Sequence, residues 1–157
     1  MFQKKDYVVT SAQGVCIVAD TPKLCVGKEQ QMQYYLLQSI IDKKKRSYIP
    51  AENHETVVRA VMTKGEALQL RDFIKENRKE ILENAPDKEL AREWLESVIP
   101  ENWCRAVIWL NQHTVTLPVE VLEYLTKANN NLLQELRYIF QNEEGVINIL
   151  QVNSQFF

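Results

Sequence analysis

The residues able to act as nucleophiles, bases or metal ligands are few and scattered. Cys16, Cys25 and Cys104 are the thiols, and His54 and His113 the imidazoles. A thiol becomes a nucleophile when a neighbouring base or cation holds it as thiolate, so an enzyme built on this chain would need Cys104 beside His113 in a cleft. Both histidines fall in turn-like contexts, His54 shaping the turn after Asn53 and His113 ending a helix. The cysteines are odd in number, widely spaced and free of any CxxC pair, which argues against a disulfide framework and a zinc site and leaves reduced core thiols. No glycine-rich phosphate loop, HExxH or nucleophile elbow occurs, so the expectation is no enzyme, no cofactor and no metal. The other chemistry on offer is electrostatic. Asp42-Lys43-Lys44-Lys45-Arg46 suits either a solvated hairpin tip or a contact to an acidic or phosphate surface, and the residues alone leave both open.

The elements that must position these groups change character at residue 62. Before it, short β-type runs follow one another: Tyr7 to Thr10, Val15 to Thr21, Met32 to Ile41, Arg46 to Ile49 and Val57 to Val61. After it the periodicity is helical. A chain of 157 residues with 45% hydrophobic content can bury a core in one domain or two small ones, and the seam favours two, 1–62 and 63–157. Charge divides at the same place. Residues 1–62 carry nine Lys or Arg against six Asp or Glu, and residues 63–157 carry ten against fifteen. An acidic helical half is poorly suited to gripping phosphates unaided. No run has the length of a membrane span and the N-terminus has no apolar leader stretch, so a cytoplasmic protein with no membrane partner is expected.

In the first half, Gly14 permits a sharp turn, and Val15-Cys16-Ile17-Val18-Ala19 is too densely apolar for a strand with one face in water. Thr21 to Lys28 supplies a turn at each end, and Gln33-Tyr34-Tyr35-Leu36-Leu37-Gln38 has the aromatic content of a pleated surface. Five short strands in this span fit a small Tudor-like β-barrel. Pro50 removes a backbone donor, which either ends the run Arg46 to Ile49 or places it at an edge, making it a candidate docking edge. That edge either docks another chain by main-chain pairing or is capped and pairs with nothing.

Phe2, Asp6, Val8-Val9, Gly14-Val15, Val18, Tyr35-Leu36-Leu37, Ile49-Pro50, Asn53 and Val58-Arg59-Ala60-Val61 resemble the N-terminal pattern of the CarD/CdnL transcription regulators. The same module occurs as the RNA polymerase-interacting domain of transcription-repair coupling factors. Leu117-Pro118, Leu125-Thr126-Lys127-Ala128 and Leu132-Leu133-Gln134-Glu135-Leu136 match the spacing of that family's closing helices. The resemblance implies a Tudor-like domain bound to the RNA polymerase β subunit, at its lobe, and a helical domain that touches promoter DNA and influences open complexes. Two basic positions that often contribute to the polymerase contact fall near Lys23 and on Tyr48, with Arg46 two residues earlier and Ile49-Pro50 following. The expected polymerase-binding set is therefore Lys23, Arg46, Tyr48, Ile49 and Pro50.

In the second half, Thr63-Lys64-Gly65-Glu66 is a capping box that starts a helix with Ala67, Leu70, Ile74 and Ile81 on one face. Pro86 suits the first turn of the next, whose apolar face is Leu90, Ala91, Trp94, Leu95 and Val98. After Pro100, Trp103, Ala106, Val107 and Leu110 form a stripe. Trp109 lies on the other side, where it either packs on a neighbouring helix or stands exposed as a wedge, with Arg105 one turn away to stack on it. A last long helix runs from Pro118 to Gln141, and Val146 to Leu150 suggest one short helix folding back; the Phe156-Phe157 tail is either disordered or packed between subunits.

The family's DNA signature, a tryptophan followed closely by paired arginines, falls here on Asn84 and Pro86-Asp87. Wedge and phosphate clamps are both absent at those positions, leaving Lys88, Arg92, Arg105 and Trp109 as the candidate DNA-binding residues. The fold expected is α+β, a Tudor-like barrel followed by a helical bundle. The function expected is a bacterial transcription regulator docked on RNA polymerase, with promoter DNA as a second partner. The alternative is a scaffold whose acidic bundle binds another protein or itself.

Overall fold

The computed structural model describes residues 1–27, 30–52, 57–112 and 115–140, divided into two compact units, Met1–Val61 and Met62–Phe157. His54, Asn53, His113 and everything expected after Phe140 lie outside the described residues.

The first unit is an antiparallel sheet of six strands: β1 Tyr7–Thr10, β2 Gly14–Asp20, β3 Lys23–Val26, β4 Gln30–Ser39, β5 Arg46–Pro50 and β6 Val58–Ala60. The β1–β2 hairpin turns because Gly14 adopts φ +71°, a region open to glycine at little cost, while Thr10 Oγ1 accepts from the Gln13 amide at 3.1 Å. The residues imply a turn at each end of Thr21 to Lys28 and no strand between them, but Lys23–Val26 is a strand. The reason lies in β4, which is ten residues long. Cys16 to Asp20 pair with Ser39 to Leu36, and Lys23 to Val26 pair with Gln33 to Gln30. β2 and β3 therefore follow one edge of β4 as a single line, interrupted by a bulge between Val18 and Asp20 and by Pro22. Proline has no amide to donate, yet its carbonyl accepts from Tyr34 N at 2.8 Å and keeps the register. β5 takes the opposite edge of β4, from Tyr34 opposite Pro50 to Gln38 opposite Arg46.

Among the described residues β5 pairs only with β4, and β6 only with β1. The ladder is thus an open sheet with free ends, and the closure expected of a small barrel is not among its pairings. The inner face gathers Val8, Cys16, Val18, Tyr35, Leu37, Ala51 and Val58, with Phe2 and Ile49 packed against them. The N-terminal segment closes over this face. Phe2 donates its amide to Tyr35 Oη at 3.1 Å and meets the Tyr35 ring edge-on at 5.7 Å, while Asp6 Oδ2 accepts from Gln3 N and Asp6 O accepts from Val18 N. Val9 and Val15, opposite one another on the other face, are buried as well. That accounts for the dense apolar run in β2.

The second unit comprises α1 Lys64–Ile81, α2 Lys88–Glu96, α3 Pro100–Leu110 and α4 Val119–Ile139. The Thr63–Glu66 capping box forms in full and starts α1. α2 begins at Lys88, two residues after Pro86, because the Asp87 carboxylate caps it by accepting from Leu90 N at 2.8 Å, as a side-chain N-cap does. Val98 lies beyond that helix with φ +53° and is buried. A β-branched residue in the left-handed region is strained, and here it turns the chain into Ile99-Pro100 at the start of α3. Trp103 is fully enclosed and donates from Nε1 to Leu95 O at 3.0 Å.

Apolar periodicity did not mark Glu135. It is 0% exposed on α4, and its Oε2 accepts from the Met62 amide at 2.9 Å. A buried carboxylate needs such donors to offset its lost hydration. Glu135→Ala leaves that amide without its acceptor and is expected to cost about 2–3 kcal/mol, measured by urea unfolding of the full chain, with Glu135→Gln losing less because it keeps an acceptor oxygen.

Candidate functional site

Cross-strand partners share a face of a pleated sheet, so the registers of β4 and β5 decide what is presented outward. Tyr34, Leu36 and Gln38 stand opposite Pro50, Tyr48 and Arg46. Burial alternates along β5, with Arg46, Tyr48 and Pro50 exposed and Ser47 and Ile49 half-buried. Tyr48 is 56% exposed, large for an aromatic side chain. Arg46 is held in place rather than left to wander: its Nε and Nη2 both donate to Gln38 Oε1, at 3.1 and 2.9 Å. The next strand adds Ile17, opposite Gln38, and beyond it Tyr7, opposite Ile17. The result is an aromatic and apolar strip, Tyr48 with Leu36 and Pro50 with Tyr34, headed by a fixed guanidinium and bordered by an edge strand. Such a surface can bind a protein partner by main-chain addition at the edge and by side-chain packing beside it.

Residues 2–62 match a family model described as the CarD-like/TRCF RID domain. The match covers the first unit, which is thus similar to that domain (here the RID unit), and leaves the second unit beyond Met62 outside it. A search of curated proteins found no match. The family match supports a transcription-related role for the RID unit, with RNA polymerase as the partner it suggests.

Of the five residues expected to bind polymerase, the structure gathers Arg46, Tyr48 and Pro50 on this face. Ile49 turns the other way and packs against the core with Tyr35. Lys23 is opposite Gln33, which shares the Tyr35 side of β4, so it stands off the strip. Sequence reading missed Tyr34, Leu36, Gln38, Ile17 and Tyr7 as members of the face. The alternation within Tyr34 to Gln38 was the available signal, but only the register with β5 shows which half of it faces Tyr48.

The residues proposed for DNA contact do not assemble into a basic surface. Of the two alternatives for Trp109 the structure takes packing: it is 4% exposed and its Nε1 donates to Ile81 O at 3.0 Å, which joins α3 to α1 and removes it from the candidate DNA contacts. Arg105 does not stack on Trp109. Its guanidinium lies over the Phe73 ring, 5.2 Å from the centroid, and Nη1 donates to Asn102 Oδ1. Lys88 Nζ is 3.4 Å from Glu120 Oε2, and Arg92 shares its surface with Glu89, Glu93 and Glu96. α2 thus surrounds its one arginine with carboxylates.

Two thiols are sealed. Burial pushes the Cys16 thiol from its ordinary 9.0 up to about 11, against a smaller opposing pull from the Thr10 side chain. Burial pushes Cys104 higher still, Glu101 adding to the rise and Arg105 opposing it. Neither is a ready thiolate, while Cys25 on β3 is exposed. His113, the imidazole expected beside Cys104, lies outside the described residues. At pH 8 a maleimide is expected to label Cys25 quickly and the other two only after denaturation, counted by mass spectrometry. Because the unfolded thiols lose protons from about pH 9 while folded Cys16 holds its proton to about 11, stability falls as pH rises through that window. The slope is about 1.4 kcal/mol per pH unit for each thiol, and urea titrations of Cys16→Ala and Cys104→Ala should each show a shallower decline.

Proposed function

We propose that the protein is a bacterial transcription regulator that docks on the β-subunit lobe of RNA polymerase through the outer face of β4 and β5. The observation that carries this reading is the coincidence, within a RID unit, of an open edge strand with Arg46, Tyr48 and Pro50 on one exposed face. β5 would receive the partner's strand, as an open relative of the Tudor-like barrel can. Tyr48 stands where related proteins often carry a basic residue, so the contact there is stacking or apolar burial rather than an ion pair. The protein acts in the cytoplasm by binding rather than by catalysis, and its docking alters how long promoter complexes stay open.

For the helical unit we favour a protein contact over a DNA contact. Trp109 is buried, Lys88 is paired with Glu120, and Arg92 is ringed by Glu89, Glu93 and Glu96. These placements favour a scaffold role for that unit, within the same regulator.

Tyr48→Asp places a charge in the middle of the strip without touching the core. It is expected to weaken binding of the full chain to the isolated β lobe by about tenfold or more, read by calorimetric titration, with an unchanged melting temperature. Equal affinity for the variant would move the docking surface elsewhere, and no binding of the parent chain at tens of micromolar would end the polymerase reading.

A further inference from the structure

The β4–β5 tip is a built loop. Ser39, itself buried, accepts through Oγ from the Ile41 and Asp42 amides at 3.2 and 3.3 Å. Asp42 Oδ1 accepts from Lys44 N at 3.0 Å, Asp42 O accepts from Lys45 N, and Lys45 O accepts from Ser39 N. Ile40 N reaches across to Val15 O at 3.2 Å. With six of its amides hydrogen-bonded, five of them within the loop, the tip has already met much of the ordering cost that a floppy loop meets on binding.

What this frame displays is unusual in two ways. Lys43, Lys44 and Lys45 are exposed and none has an ion-pair partner among the described residues, and Asp42, the one acid beside them, is engaged with the Lys44 amide. Four cations and one acid in residues 42–46 equal the whole positive excess of the first unit, where nine basic residues face six acidic ones. Beside these lysines Ile41 is 74% exposed. A tip kept soluble by charge needs no isoleucine at its summit. An acidic polypeptide would satisfy the lysines but set Ile41 among carboxylates. A DNA minor groove offers two phosphate rails, sugar-lined walls beneath them and base edges as its floor, and apolar side chains insert there.

We propose that the β4–β5 tip is a DNA contact, with Lys43, Lys44 and Lys45 on backbone phosphates and Ile41 against the minor-groove wall. Binding of this kind is sequence-tolerant and salt-sensitive, since each neutralised phosphate releases counterions. It is separate from polymerase docking, which uses the face of Tyr48, and it puts the chain's nucleic-acid contact on the RID unit instead of the acidic helices.

The test uses the full chain without polymerase and a fluorescent random-sequence DNA duplex of about 20 base pairs, followed by anisotropy across a salt series. The parent chain is expected to bind at low salt with a dissociation constant of about 1–100 μM. Combining Lys43→Ala, Lys44→Ala and Lys45→Ala should weaken this at least tenfold and reduce the salt slope by about 2–3. Ile41→Ser should weaken binding severalfold with the slope unchanged. Lys75→Ala with Lys79→Ala on exposed α1 positions is the matched control and should alter little. The tip side chains make none of the hydrogen bonds that frame the loop except through Asp42 and Ser39, so circular dichroism of the variants should match the parent. The proposal is overturned by absence of binding at 100 μM and low salt, by a lysine-to-alanine variant that binds like the parent, or by a control that loses as much. Competition by poly-glutamate or by anionic vesicles as effective as unlabelled DNA would also overturn it, in favour of a polypeptide or membrane partner.

Discussion

The period of two along β4 governs the first unit. Ten residues of one strand carry β2 and β3 on one edge and β5 on the other, and each side chain is committed to a face by its place in the pleat. Tyr35 and Leu37 go inward to the core, and Tyr34 and Leu36 go outward toward Pro50 and Tyr48. A slip of one residue would exchange the two sets, burying Gln38 and exposing Tyr35. The contacts of the N-terminal segment work against such a slip, because Phe2 binds both the ring and the hydroxyl of Tyr35. Core and candidate interface are therefore two readouts of a single register.

The second unit depends on polar fastenings at helix ends. Asp87 caps α2, the Thr63–Glu66 box caps α1, and the indoles of Trp103 and Trp109 each donate to a carbonyl on another element, Leu95 and Ile81. The last of these fastenings consumes a group that the sequence left available for function. The position of Trp109 opposite the Trp103 stripe made exposure conceivable, yet α1 arrives on that side and covers it. A helix packed on two sides has two apolar faces, and periodicity alone cannot say whether the second is covered by its own chain or by a partner.

Much of the architecture was legible beforehand because local rules agree with the final structure. The capping box, Gly14, the edge proline and the helical stripes all act over a few residues. What was not legible depended on distant partners. β3 was hidden because Thr21, Pro22 and Gly27 look like turn residues, and only the length of β4 makes room for a strand between them. Glu135 was hidden because its justification is an amide more than seventy positions away. At the candidate site, Arg46, Tyr48 and Pro50 could be named from the edge strand, but Ile49 and Lys23 were grouped with them by proximity in sequence, and the pleat separates them.

The Met62–Glu135 bond has a mechanical meaning. Met62 is the first residue of the second unit, so tension applied through the chain from the RID unit enters there. It reaches the side chain of α4 at once, as well as the start of α1 through Thr63. Helices adjacent to the entry point and at the far end of the described chain are loaded together, and the bond that couples them is shielded from competing water. The first residues of the second unit are therefore fastened at two places, to the start of α1 and to a buried side chain of α4.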